Sequence, residues 1–217
     1  MYNYSGWWFP DQDTHFAKML GKSVAKGHQP VYQEPVRRAS IETCLHNKKT
    51  QVAIDIGANV GLWTRDLCEH FTQVLAVEPV EIFRDCLIKN VPAKNLTIYD
   101  CALGDANSWV NMIITPGNTG HTHVDLNTMG QGKIQMRTLD SMNFPGADYI
   151  KLDCESHEFR ILQGGENYIK EFRPIIVIEQ KFQPDTGITN PGEAVDLLRG
   201  WGAQVLNRIR HDLILGW

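Results

Sequence analysis

A chain of 217 residues, 42% of them hydrophobic, is long enough to bury a core, and its net charge of -4 argues against the broad basic surface of nucleic-acid binders. Its five cysteines are scattered without a CxxC pair, which argues against a disulfide framework or a thiolate zinc site and fits a reducing, cytoplasmic setting. The opening MYNYSGWWFPDQDTHF lacks the basic and apolar regions of a secretory signal, and no apolar run reaches the length of a membrane span, so no membrane partner is expected.

Residues 1–30 read as an irregular, aromatic-rich arm and a candidate substrate lid, and residues 31–217 as one domain. EPVRRASIETCLHN (34–47) predicts a helix with Pro35 near its start. VAIDI then predicts a strand, VGLWTRDLCEHF a helix, QVLAV a strand, EIFRDCLIKN a helix and LTIYDCAL a third strand. WVNMIIT and KIQMRTL predict extra strands around a long turn-rich stretch that caps one end. The alternation resumes with DYIKLD, EFRILQ, a break at Gly164 and Gly165, ENYIKEF, PIIVIE and GEAVDLLRGW. AQVLNRI and DLILGW close the chain, joined too tightly for a crossover helix and so antiparallel. Such βα units imply an α/β fold, a parallel sheet with helices on both faces, and a ligand at the carboxyl ends of its strands.

The turn after the first of these strands is Asp55-Ile56-Gly57-Ala58-Asn59-Val60-Gly61. Asn59 stands where a dinucleotide fingerprint needs its second glycine, and LGKS at 20–23 lacks the first glycine and preceding strand of a phosphate loop. What remains is DxGxxxG followed by an acid, Glu78-Pro79, ending the next strand. A carboxylate there can accept both ribose hydroxyls, and a turn eased by Gly57 and Gly61 can pass beneath a ligand that carries no phosphate. That ligand is S-adenosylmethionine, with its adenine near Asp100, Cys101 and Ala102. Asp55, Gly57, Asn59, Gly61, Glu78, Pro79, Asp100, Cys101, Ala102 and Asp153 are the candidate cofactor residues.

VAIDIGANVGLW, VLAVEP, YDCALGD and YIKLDCESHEFRILQGG with RPIIVIE together resemble the FkbM family of class I S-adenosylmethionine-dependent methyltransferases, over roughly residues 50–180. The resemblance implies a Rossmann-like, seven-stranded, mostly parallel sheet with an antiparallel last strand. It also implies methylation of a hydroxyl on a sugar or other small molecule, leaving S-adenosylhomocysteine. Its D-x-E-G-x-E motif carries over to Asp153, Glu155 and Glu158, with Ser156 and His157 departing from the pattern.

KLDCESHEF gathers Asp153, Glu155, His157 and Glu158 at a strand end, and these are the candidate catalytic residues. Methyl transfer depends mainly on positioning, and a hydroxyl nucleophile also needs a base, Glu155 or His157. Ser156 as an N-cap and Glu158 facing the helix dipole are the structural alternatives. Glu179, ending VIE, is a further candidate. GHTHVD puts His121, His123 and Asp125 on one side of an extended chain, but without a fourth local ligand a divalent metal is not favoured. Trp7, Trp8 and Phe9, with Asp11, Asp13 and His15, suit either stacking on an acceptor or packing on the sheet edge. Two alternatives to the small hydroxyl acceptor stay open: 2′-O-methylation of a nucleic acid, and a fold that binds the cofactor without chemistry. Oligomeric state is not legible.

Overall fold

The computed structural model describes residues 1–25, 27, 31–179 and 192–217. Gly6, with φ at 83°, folds the aromatic start of the chain back on itself, pairing β1 (Tyr2–Tyr4) antiparallel with β2 (Trp7–Phe9). The Asp13 carboxylate then accepts the backbone N–H of Phe16 at 3.1 Å and starts α1 (His15–Ala25). The expectation of an irregular arm is therefore corrected to a hairpin and a helix. Phe16 and Leu20, one helical turn apart, join Trp7, Phe9, Val60, Leu62 and Cys86 in a buried cluster. The helical period is hidden in the sequence because exposed Met19 and Val24 blur the apolar stripe.

Helix α2 (Glu34–His46) carries Pro35 in its first turn, where a missing N–H costs nothing. The α/β rhythm follows as β3 (Val52–Ile56), α3 (Thr64–His70), β4 (Gln73–Val77), α4 (Glu81–Asn90) and β5 (Leu96–Tyr99). Helix α3 begins a turn later than its apolar pattern predicts, because Gly57, Asn59 and Gly61 all hold positive φ. The expected third strand is split. It ends at Tyr99, and β6 (Ala102–Leu103) leaves for a second sheet with β7 (Ser108–Ile113), β8 (His123–Asp125) and β9 (Ile134–Arg137), in the order β6-β9-β7-β8.

The main sheet resumes with β10 (Tyr149–Leu152), α5 (Glu158–Gln163), α6 (Glu166–Phe172), β11 (Ile175–Glu179), α7 (Glu193–Gly200), β12 (Gln204–Ile209) and β13 (Asp212–Gly216). Its strand order is β12-β13-β11-β10-β3-β4-β5, parallel from β11 to β5, with β13 antiparallel to both neighbours. Side chains alternate across it. Val52, Ile54 and Ile56 pack with Ile161, Leu162 and Ile169 on one face, and Ala53, Val74 and Tyr149 with Val36, Ile41 and Leu67 on the other. The outer strand β12 is largely exposed and its pairing slips by a bulge between Val205 and Asn207. No helix among the described residues is long and apolar enough to cross a membrane.

Candidate active site

The strand order reverses between β3 and β10, so their carboxyl ends open a crevice that neighbouring crossovers cannot fill. At its floor, the backbone N–H groups of Gly57 and Ala58 bond to the Val77 carbonyl, tying the glycine turn to β4. A Cβ on Gly57 would stand 2.2 Å from the Asp153 carbonyl oxygen, so only glycine lets the turn lie against the end of β10. Gly61 serves packing instead, since a Cβ there would meet Leu87 and Val91 where the turn seats on α4.

Glu78 is buried. Its Oε2 accepts the Asn59 N–H and its Oε1 the Val80 N–H, both at 2.8 Å, while Arg84 donates to the backbone carbonyls of Glu78 and Pro79. Burial pushes the Glu78 carboxyl up to about 7. Asn59 donates from Nδ2 to the Thr119 carbonyl at 3.0 Å, linking the turn to the loop above it.

The parallel register sets Lys151 of β10 directly beside Asp55 of β3. Lys151 Nζ lies 3.6 Å from Asp55 Oδ1, 3.5 Å from Asp153 Oδ2 and 3.2 Å from the Gly57 carbonyl oxygen. Thr64, at the start of α3, donates to the other Asp55 oxygen at 2.6 Å. Burial alone would lower the Lys151 ammonium's pKa, but Asp153 and Asp55 more than reverse that and hold it above the usual lysine value. Asp55 is thus an internal anchor, walled off by Lys151 and Thr64.

Beyond β10 the chain turns sharply, with Glu155 at φ 50° and Ser156 at φ 76°. Glu158 sends its carboxylate back to accept the Cys154 N–H at 2.6 Å, away from the crevice, and burial raises it to about 7. His157 is buried, which lowers its imidazole to about 4 and leaves the ring neutral near pH 7; its Nε2 has no hydrogen-bond partner. Asp153, Glu155 and Glu179 each place an oxygen within 4.8 Å of the others. Three such carboxylates could hold a hard divalent cation, in competition with Lys151 for Asp153. The set of His121, His123 and Asp125 does not assemble, because Thr119–His121 is a 3₁₀ turn that breaks the alternation between His121 and β8.

A cleft of about 820 Å³, measured to its open mouth, runs between these groups. Its wall includes Gly57, Asn59, Glu78, Pro79, Cys101, Ala102, Asp153, Glu155 and His157. Of the candidate residues, Asp55, Gly61 and Glu158 stand behind that wall and Asp100 is exposed. Lys151 and Thr122 are cleft residues that sequence reasoning missed, and Asp212 is a neighbouring acid that it also missed. Lys151 lines the cleft as the lone cation of a buried strand, a signal that becomes legible only when paired with the lone acid in VAIDI. Thr122 also lines it, with a buried Oγ1 that lacks a partner. Asp212 pairs in register with Glu179, and burial followed by the nearby Asp153 pushes it up to about 6. The volume, the glycine approach, the buried acid after β4 and the orphaned polar atoms fit a nucleoside bearing a charged amino-acid tail.

The fold is that of the class I methyltransferases. Residues 55–205 match the methyltransferase FkbM domain, and the chain belongs to that family. An uncharacterized methyltransferase of Exiguobacterium sibiricum is 34% identical over 85 residues, a match that takes in 39% of this chain and 40% of that protein. The O-methyltransferase TomG from Streptomyces achromogenes, involved in tomaymycin synthesis and solved in complex with S-adenosylmethionine, superposes with a TM-score of 0.54 at 11% identity, covering 95% of this chain and 90% of its own. Methyltransferase FkbM from Methylobacillus flagellatus gives a TM-score of 0.49 at 18% identity, over 77% of this chain and 43% of that one.

Proposed function

We propose that the cleft binds S-adenosylmethionine and that the enzyme methylates a hydroxyl oxygen of a sugar or another small acceptor, releasing S-adenosylhomocysteine. One observation carries this conclusion: the glycine turn, Glu78, Cys101 and Ala102 line the same cleft as Asp153 and Glu155. Glu78 would accept the ribose hydroxyls, and Cys101 and Ala102 would flank the adenine. S-adenosylmethionine, when bound, supplies an electrophilic methyl group on a sulfonium. Lys151 holds Asp153 in place at the end of β10. Glu155 is the proposed base, because its carboxylate lines the cleft beside Asp153 and Glu179, just beyond the end of β10. His157, neutral at the wall, orients the ligand and carries no proton away.

The acidic acceptor side favours a small neutral or cationic substrate over a phosphodiester backbone. Asp153, Glu155, Glu179 and Asp212 all face the Tyr32 phenol, which burial and then these four carboxylates push well above its ordinary value. The test is transfer of labelled methyl from S-adenosylmethionine into a panel of sugars, glycosides, nucleosides and RNA. Glu155→Gln should cut turnover by about 10²–10⁴-fold and keep S-adenosylhomocysteine affinity within roughly twofold. Unchanged turnover would refute the base assignment, and label found in RNA alone would refute the small acceptor. Cofactor binding without transfer to any acceptor would favour a fold that has lost its chemistry.

A further inference from the structure

Asp13 belongs to no strand of the main sheet, yet its carboxylate is buried, only 1% exposed. Besides starting α1 it accepts the Thr119 N–H at 3.0 Å through Oδ2, and the same oxygen takes the Thr119 hydroxyl. The Thr119 carbonyl in turn accepts from Asn59, whose own N–H bonds to Glu78. A continuous chain of hydrogen bonds therefore runs from the arm through the 119–122 loop to the buried carboxylate after β4. Two further contacts fasten the arm to the same region: Trp8 exchanges hydrogen bonds with Asn90 at 2.7 and 2.9 Å, and Asn90 also donates to the Val60 carbonyl at 2.7 Å. Tyr2 donates to the Asp13 carbonyl oxygen at 2.6 Å and steadies the arm behind the carboxylate.

The loop so held forms one side of the cleft. Gly120, Thr122 and Val124 line it with Phe16 of the arm, in the same cleft as Glu78 and Ala102. We propose that Asp13 is a positioning residue, whose carboxylate seats the 119–122 segment as the roof of the cleft and so governs how long a bound nucleoside is retained. Its charge matters because an ionised acceptor serves two Thr119 donors and the Phe16 N–H at once, which an amide oxygen cannot do. The proposal rests on the cleft being the cofactor site.

Titration and dissociation kinetics of S-adenosylhomocysteine with the full chain test it. Wild-type protein that does not bind would overturn the cofactor site itself, and the roof with it. Given wild-type binding, Asp13→Ala should raise Kd by about tenfold or more, carried by faster dissociation, at a stoichiometry still near one. Asp13→Asn, which keeps the shape and one accepting oxygen, should fall between the two. A lower stoichiometry with wild-type Kd in the competent fraction would show a purely structural role and overturn the proposal, as would unchanged dissociation. If Asp13→Ala fails to fold, Thr119→Val removes only the hydroxyl and should still speed dissociation severalfold, and wild-type rates in that variant would overturn the proposal.

Discussion

Lys151→Met removes one buried charge and keeps most of the side-chain volume. In the wild type the ammonium stands 3.6 Å from Asp55 and 3.5 Å from Asp153, inside a sheet where Asp55 has no exposure at all. Unit charges at such a separation attract by roughly 4–5 kcal/mol at an effective dielectric of about 20, much of it offset by the cost of burying the lysine. The variant keeps the buried Asp55 with the Thr64 hydroxyl as its side-chain donor. Breaking a buried pair by deleting one partner costs about 3–5 kcal/mol, the expected loss here. With a urea m-value of about 2–3 kcal/mol/M, the unfolding midpoint should fall by roughly 1–2 M.

The loss should also depend on pH. Burial raises the Asp55 carboxyl, and the variant lacks the lysine that opposes this. An acid raised on folding contributes stability below its unfolded value and loses it as pH rises through its folded value. The variant should therefore lie nearest the wild type in acid and fall away toward neutrality. Adding Asp55→Asn should recover part of the loss. A deficit below about 1 kcal/mol, or one that ignores pH, would refute the buried-pair account.

Four other outcomes are expected. Glu78 sits at about 7 against an ordinary 4.5, so S-adenosylhomocysteine affinity should strengthen from pH 6 to pH 8 as the carboxylate forms, and Glu78→Gln should flatten the profile. The same shift makes Glu78 favour the unliganded fold below about 4.5 and lose that contribution as pH rises through about 7, measurable by urea unfolding of apo protein. Ser156→Gly should raise apo stability by roughly 0–1 kcal/mol, because φ 76° costs a serine more than a glycine; a clear drop would count against strain at this turn. Removal of residues 1–20 should abolish cofactor binding as well as turnover, since Trp7, Phe9, Phe16 and Leu20 pack against the turn residues Val60 and Leu62; binding within twofold of wild type by calorimetry would contradict this.

Features written locally were legible in the sequence. VAIDI, QVLAV and PIIVIE announce buried strands by their mostly apolar character, and the glycine spacing marks the turn because backbone geometry there demands it. The glycine that the resemblance expects at 156 also has a local cause, since the chain adopts positive φ at that position. What escaped reading depends on register and distance. Lys151 looks like an ordinary alternation until β10 is laid beside β3, and Asp212 comes beside Glu179 only through the pairing of β13 with β11. Glu158 fits the motif in type and spacing, yet it spends its carboxylate on the Cys154 N–H, a geometry that residue identity does not specify. The arm was hardest, because its partners Asn90 and Thr119 lie 82 and 106 residues away.

The slipped pairing of β12 bears on how copies of the protein tolerate one another at high concentration. An outer strand with Val205 and Leu206 exposed would ordinarily invite another chain to extend the sheet and seed aggregates. The extra residue at the bulge leaves the ladder out of step halfway along and increases local twist, so an incoming strand finds matched hydrogen-bonding groups over only part of its length. Arg208, just past the bulge, adds charge to that border. The fold thus keeps its apolar margin while denying it the regularity on which templated growth depends.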